Sequence, residues 1–114
     1  LDEAMNASCG DYAPDVSEFT AVGIESVPSQ RVQVAGVKAA KVRFECCLRE
    51  VLTMSSLPMG GNMMLLDIVS IFVDESVMIE GKIAPSLLNT IGKLGGDFYS
   101  TTHECFELAR PVLK

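Results

Sequence analysis

Tryptophan is absent, tyrosine occurs twice and histidine once, and lysines and arginines nowhere form a run. With a formal net charge of −6 and no basic run, a surface that tracks a phosphate backbone is excluded, so nucleic acid is set aside as a partner. Cys9, Cys46, Cys47 and Cys105 contain no CxxC pair, and with one histidine they supply no ligand cluster for a metal. Neighbouring Cys46 and Cys47 point to opposite faces of a strand, and free thiols in a reducing cytoplasm are the simplest reading. A basic region followed by an apolar segment, the mark of a secretory signal, is missing. The longest apolar stretch is about half of what a helical crossing needs and carries Asp67 in its middle, so no membrane span is expected.

What the chain does have is apolar residues. They make up 48% of its 114 positions, against 21% charged. One small domain is expected. The surplus has two readings: a well-filled core, or apolar surface covered by another chain or a ligand. The stretch Asn62 to Val73 concentrates it. Its even positions hold Met64, Leu66, Ile68 and Phe72, and its odd positions hold Met63, Leu65, Val69, Ile71 and Val73. Its β-branched residues and Gly60-Gly61 entry favour a strand, with both faces apolar and both requiring cover.

The segments around it follow from the same rules. Leu1 to Asn6 reads as the last turns of an amphipathic helix, and Cys9 to Pro14 as loop. Val16 to Val22 is a short helix behind Pro14-Asp15 and ahead of Gly23. Ile24 to Ala40 gives short extended pieces around Pro28 and Gly36. From Lys41 to Leu52, Val42, Phe44, Cys46 and Leu48 alternate with polar residues as in a half-buried strand. The phase slips at Arg49 and Glu50, which predicts a bulge there. Ser55 to Gly61 then turns the chain into an antiparallel hairpin. Val77 to Ile79 is an edge piece ended by a Glu80-Gly81 turn. Pro85 opens a brief helix that Gly92 closes. Cys105 to Leu108 is apolar at alternate places. Long, bulged, antiparallel strands point to a small barrel.

In order along the chain stand Met5-Asn6-Ala7-Ser8, Glu18-Phe19 ahead of Gly23-Ile24, Phe44-Glu45-Cys46, Val73-Asp74-Glu75, Lys93-Leu94-Gly95-Gly96-Asp97-Phe98-Tyr99, and Phe106-Glu107-Leu108-Ala109-Arg110-Pro111. Together they resemble the flavin reductase-like family. The resemblance covers nearly the whole chain and implies a mainly β, antiparallel Greek-key split barrel with short helices. It implies a homodimer holding FMN at the subunit interface, with electrons passing from NADH or NADPH to flavin and, in many relatives, on to a partner monooxygenase. The family's first third has no counterpart here, so the chain is expected to be the carboxy-terminal two thirds of a single domain. Lys93 stands where the family usually has Arg. It keeps the charge without the two-pronged grip. Leu66 takes the place of a common Gly, with Asp67 next to it as the acid.

Lys93, Gly95, Gly96 and Tyr99 are the leading candidates for cofactor contact. Paired glycines let backbone N–H groups approach a phosphate, Lys93 adds charge, and Tyr99 offers a flat face and a hydroxyl. A plain turn plugged by Phe98 and Tyr99 is the competing reading. Asn6 and Ser8 match the family's step beside the flavin pocket, and as capping and turn residues they need no ligand. Arg110-Pro111 reads as a dimer-crossing tail or a surface tail. His103 and Cys105 would share a strand face, as in a Cys/His nucleophile pair, but no third orienting group is apparent. Met54, Met59, Met63 and Met64 read as loop and core filling. The alternative to a reductase is a non-catalytic dimeric flavin-binding or structural module built on the same barrel.

Overall fold

The computed structural model describes residues 1–58 and 60–112, so Met59 of the methionine group lies outside the described residues. The chain gathers into two compact units, Leu1–Val73 and Asp74–Lys114.

The first unit opens with helix α1, Asp2–Ala7, whose first turn carries Asp2 and Glu3, the sign a helix start favours. Helix α2 spans Glu18–Ala21 and begins later than expected, because Ser17 is extended and holds the N-cap place, leaving Val16 outside. Gly23, at φ 69, turns the chain after it. The antiparallel pair β1, Ser26–Val27, and β2, Gly36–Val37, follows.

Strands β3, Val42–Thr53, and β4, Asn62–Val73, form a long antiparallel ribbon. Its register shifts twice. Leu48 faces Leu66 while Glu50 faces Leu65, so Arg49 is the extra residue, at the expected bulge. Glu45 faces Ser70 while Cys46 faces Ile68, so a second bulge falls on Val69 of β4. A bulge reverses the alternation of faces beyond it, and the two bulges together re-sort the ribbon. One face collects Val42, Phe44, Cys46, Leu48 and Val51 opposite Val73, Ile71, Ile68, Leu66 and Met64. The other collects Arg43, Glu45, Cys47, Glu50 and Leu52 opposite Phe72, Ser70, Asp67, Leu65 and Met63. The expected strand with two apolar faces is thus corrected. One face is continuously apolar and the other is mixed.

The mixed face is tied by polar contacts. The Arg43 guanidinium lies 3.7 Å from the centre of the Phe72 ring and donates to the Ala40 carbonyl at 2.9 Å. Arg49, at its bulge, pairs with Asp67 across the ribbon, its Nε 3.1 Å from a carboxylate oxygen. The Glu45 carboxylate accepts the backbone N–H groups of Gln30 at 2.8 Å and Arg31 at 2.6 Å. The Gln30 amide foremost, helped by that of Arg31, holds the Glu45 carboxyl below its usual range. The apolar face has no such cover: Phe44 is 59% exposed, Leu48 60% and Ile71 55%. A well-filled core is therefore not what absorbs the surplus of apolar residues.

In the second unit, Asp74 accepts the Ser76 N–H at 2.9 Å and starts a 3₁₀ turn, Glu75–Val77. Val77, 2% exposed, is the one buried apolar side chain among the described residues. Strands β5, Met78–Ile79, and β6, Lys82–Ile83, pair across Glu80 and Gly81. Both of these have positive φ, 50 and 76, as a tight hairpin turn requires. Helix α3, Pro85–Leu88, packs on the 3₁₀ turn. Asn89, left-handed at φ 47, ends it. Gly92 does not close the helix as expected, because the chain has already entered strand β7, Ile91–Lys93, which pairs with β8, Tyr99–Thr101. Cys105 to Leu108 forms no strand, so alternation there does not set His103 and Cys105 on a common strand face. Among the described residues strands pair only two by two, and no helix is long and apolar enough to cross a membrane.

Candidate cofactor site

The hairpin β7–β8 is built from three cross-strand pairs, Ile91 with Thr101, Gly92 with Ser100, and Lys93 with Tyr99. Beyond Lys93 the Leu94 N–H donates to the Phe98 carbonyl at 2.9 Å, and the Phe98 N–H to the Gly95 carbonyl at 3.3 Å. Gly96 and Asp97 are therefore the central residues of the turn. Gly96 has φ 59 and Asp97 is not among the positive-φ residues, so the first central position of the turn is one where glycine's freedom is used.

Gly95 is a different matter. It has no positive φ, and a methyl group added there would meet nothing within 4 Å. Neither backbone strain nor crowding within the chain calls for glycine at this position.

Lys93 folds over the turn. Its ammonium donates to the Gly96 carbonyl at 2.6 Å and stands 4.3 Å from the centre of the Tyr99 ring. A cation over an aromatic face at an exposed site contributes roughly 0.5–1 kcal/mol. The pairing register brings the two side chains to one face, so Lys93, Gly96 and Tyr99 form one cluster, with Gly95 adjoining it. All four are exposed.

Asn6 and Ser8 lie in the first unit. Asn6 is in the last turn of α1, its carbonyl accepting the Cys9 N–H at 3.2 Å. Ser8 is the C-cap, and its hydroxyl donates back to the Met5 carbonyl at 2.8 Å. Asp67 accepts from Arg49. One polar knot escaped sequence reasoning. The Thr102 hydroxyl accepts the Thr90 N–H at 2.9 Å and donates to the Pro85 carbonyl at 3.1 Å, joining the base of the hairpin to α3. An isolated threonine carries no pattern by which a sequence could announce this.

No family model matches the chain. It is 32% identical over 114 residues to the uncharacterized protein YwrF of Bacillus subtilis, an alignment that takes in 96% of this chain and 55% of that protein. Among solved structures it superposes on nitrilotriacetate monooxygenase component B from Bacillus cereus with a TM-score of 0.83 at 27% identity, covering 94% of this chain and 54% of that one. A Shewanella frigidimarina protein described as a flavin reductase with a split barrel domain matches with a TM-score of 0.72 at 25% identity, over 98% of this chain and 55% of the other. The chain shares the fold of flavin reductase-like split-barrel proteins over about half of their length. Its mainly β architecture with short helices is theirs. The chain spans about half the length of the curated relatives it matches. The match runs through both units, so the hairpin with Lys93 and Tyr99 and the ribbon with its open apolar face are parts of the shared fold.

Proposed function

We propose that this chain is part of an FMN-binding flavin reductase-like oxidoreductase, in which both units belong to a single split-barrel domain. The observation that carries the reading is the cluster at the β7–β8 turn. A lysine ammonium, a tight glycine turn and an aromatic face are held together there, in a chain whose structural neighbours include a described flavin reductase.

The residues suit a flavin phosphate. Lys93 supplies an exposed positive charge, and its partner, the Gly96 carbonyl, is neutral and easily exchanged for an anion. Gly95 leaves its backbone open to close approach, which accounts for a glycine that the chain itself does not require. Tyr99, 39% exposed as a residue, offers a ring and a hydroxyl at the same site. Asn6 and Ser8, at the end of α1, are proposed as cofactor contacts on the family resemblance. Bound FMN would supply the electron-accepting chemistry, and the protein's share is placement, exclusion of water and charge near the ring.

The reductant would be NADH or NADPH. A homodimer would cover the apolar ribbon face, and a monooxygenase component is the natural acceptor, since one structural neighbour is itself a monooxygenase component B. Four free thiols suit a cytoplasmic setting. Steady-state oxidation of NADH and NADPH in the presence of FMN tests the reading. Turnover that depends on flavin and falls at least tenfold in Lys93→Gln supports it, whereas a purified chain that binds FMN without oxidising either nucleotide overturns it.

That second result defines the alternative, a non-catalytic dimeric flavin-binding or structural module. The continuous exposed face of the ribbon favours it, because such a surface serves assembly whether or not electrons move.

A further inference from the structure

We propose that Thr102 is a positioning residue for the Lys93–Tyr99 turn: its hydroxyl locks the base of the β7–β8 hairpin to α3 and thereby sets where the turn presents its charge and backbone. This rests on the flavin reading of that turn.

The Thr102 hydroxyl has one hydrogen and two lone pairs, and the structure uses all of them. It donates to the Pro85 carbonyl at 3.1 Å, accepts the Thr90 N–H at 2.9 Å, and lies 3.2 Å from the Thr90 hydroxyl, which donates to it in this arrangement. The Thr102 N–H closes the pair by donating to the Thr90 carbonyl at 3.0 Å. Hydrophobic packing does not share this task. From Asn89 to Val112 Thr102 is the one residue that is half-buried, and the others are exposed. A hairpin with no buried apolar anchor is held where its polar contacts hold it.

The geometry also separates positioning from folding. The Pro85 carbonyl accepts the Asn89 N–H at 2.8 Å in addition to the Thr102 hydroxyl. Removing the hydroxyl therefore leaves α3 its own bond. At the far end, the bonds of Leu94 with Phe98 and of Lys93 with Gly96 lie wholly within the turn. Loss of the hydroxyl frees the hairpin as a body without dissolving its tip.

The test compares Thr102→Val, which keeps the shape and loses the hydroxyl, with Thr102→Ser, which keeps the hydroxyl and loses the methyl group. FMN titration is combined with amide exchange followed without flavin. In Thr102→Val the Thr90 amide is expected to exchange faster, the Leu94 amide to keep its protection, and the FMN dissociation constant to rise roughly tenfold, the effect of one hydrogen bond. Thr102→Ser is expected to restore both. Affinity within twofold of wild type in Thr102→Val, unchanged Thr90 exchange, or a Thr102→Ser chain that folds and still binds weakly would each overturn the inference. Should Thr102→Val fail to fold, wild-type affinity in Thr102→Ser supports the role and its loss refutes it. If the wild-type chain takes up no FMN, the flavin reading falls and the inference falls with it, an outcome told apart by the wild-type titration alone.

Discussion

Replacing Gly95 and Gly96 by alanine, one at a time, separates what the turn needs from what a ligand needs. At Gly96 the φ of 59 is one that an L side chain rarely adopts, although the space around the added methyl is open. The left-handed conformation costs about 1–2 kcal/mol, and the smaller conformational freedom of the unfolded alanine chain offsets about 0.4–1 kcal/mol. Gly96→Ala should therefore destabilise the second unit by about 1 kcal/mol. At Gly95 neither penalty applies, so Gly95→Ala should be neutral or stabilising by up to about 1 kcal/mol. FMN binding should invert the order. A methyl group at the position of close approach displaces the phosphate and removes a charge-assisted hydrogen bond of about 1.5–3 kcal/mol, so Gly95→Ala should weaken FMN roughly ten- to a hundredfold. With no tryptophan in the chain, unfolding is best followed by far-ultraviolet circular dichroism, and binding by quenching of flavin fluorescence. A Gly95→Ala chain that binds FMN within twofold of wild type would refute the reasoning, because Gly95 would then serve neither fold nor ligand.

Three further outcomes are expected. Glu45 has a folded pKa held below its unfolded value by the Gln30 and Arg31 amides, so its contribution is present above the unfolded value and is lost as pH falls through the folded one. Protection of the Gln30 and Arg31 amides against exchange should be lost once acid protonates that carboxylate, and Glu45→Gln should show the reduced protection already at neutral pH. Val77→Ala should destabilise the second unit by about 2 kcal/mol, from lost apolar transfer and the space left behind, measured by thermal unfolding; a change below about 0.5 kcal/mol would show that the site collapses freely. Asp67→Asn breaks an ion pair whose side chains are 65% and 47% exposed, so the loss should stay under about 1 kcal/mol and shrink in high salt. A larger loss would mean that the Arg49 bulge itself depends on the pair.

Much of this architecture is written locally. Strand β4 occupies Asn62–Val73, the stretch picked out by its β-branched residues, and the bulge at Arg49 follows from the broken alternation at Glu50. The bulge at Val69 was missed, though a signal for it was present. Asp67 and Ser70 are three apart, and two polar residues at that spacing share a strand face only if an extra residue lies between them. Helix α3 was expected to run to Gly92, but Asn89 can take the left-handed conformation and stopped it first. Alternation at Cys105 to Leu108 misled because pattern alone supplies no pairing partner. In the candidate site, the residue types of Lys93, Gly95, Gly96 and Tyr99 were legible. The Lys93–Tyr99 stack needed the register, and the Thr102 knot needed the path of α3.

The central claim, that the β7–β8 turn holds flavin, is tested most directly by titrating FMN into the wild-type chain and into Tyr99→Ala. Saturable binding in the micromolar range by wild type, weakened at least tenfold in Tyr99→Ala while far-ultraviolet circular dichroism is unchanged, is the predicted result. Equal affinity in the two chains would contradict the account, and so would no binding by wild type.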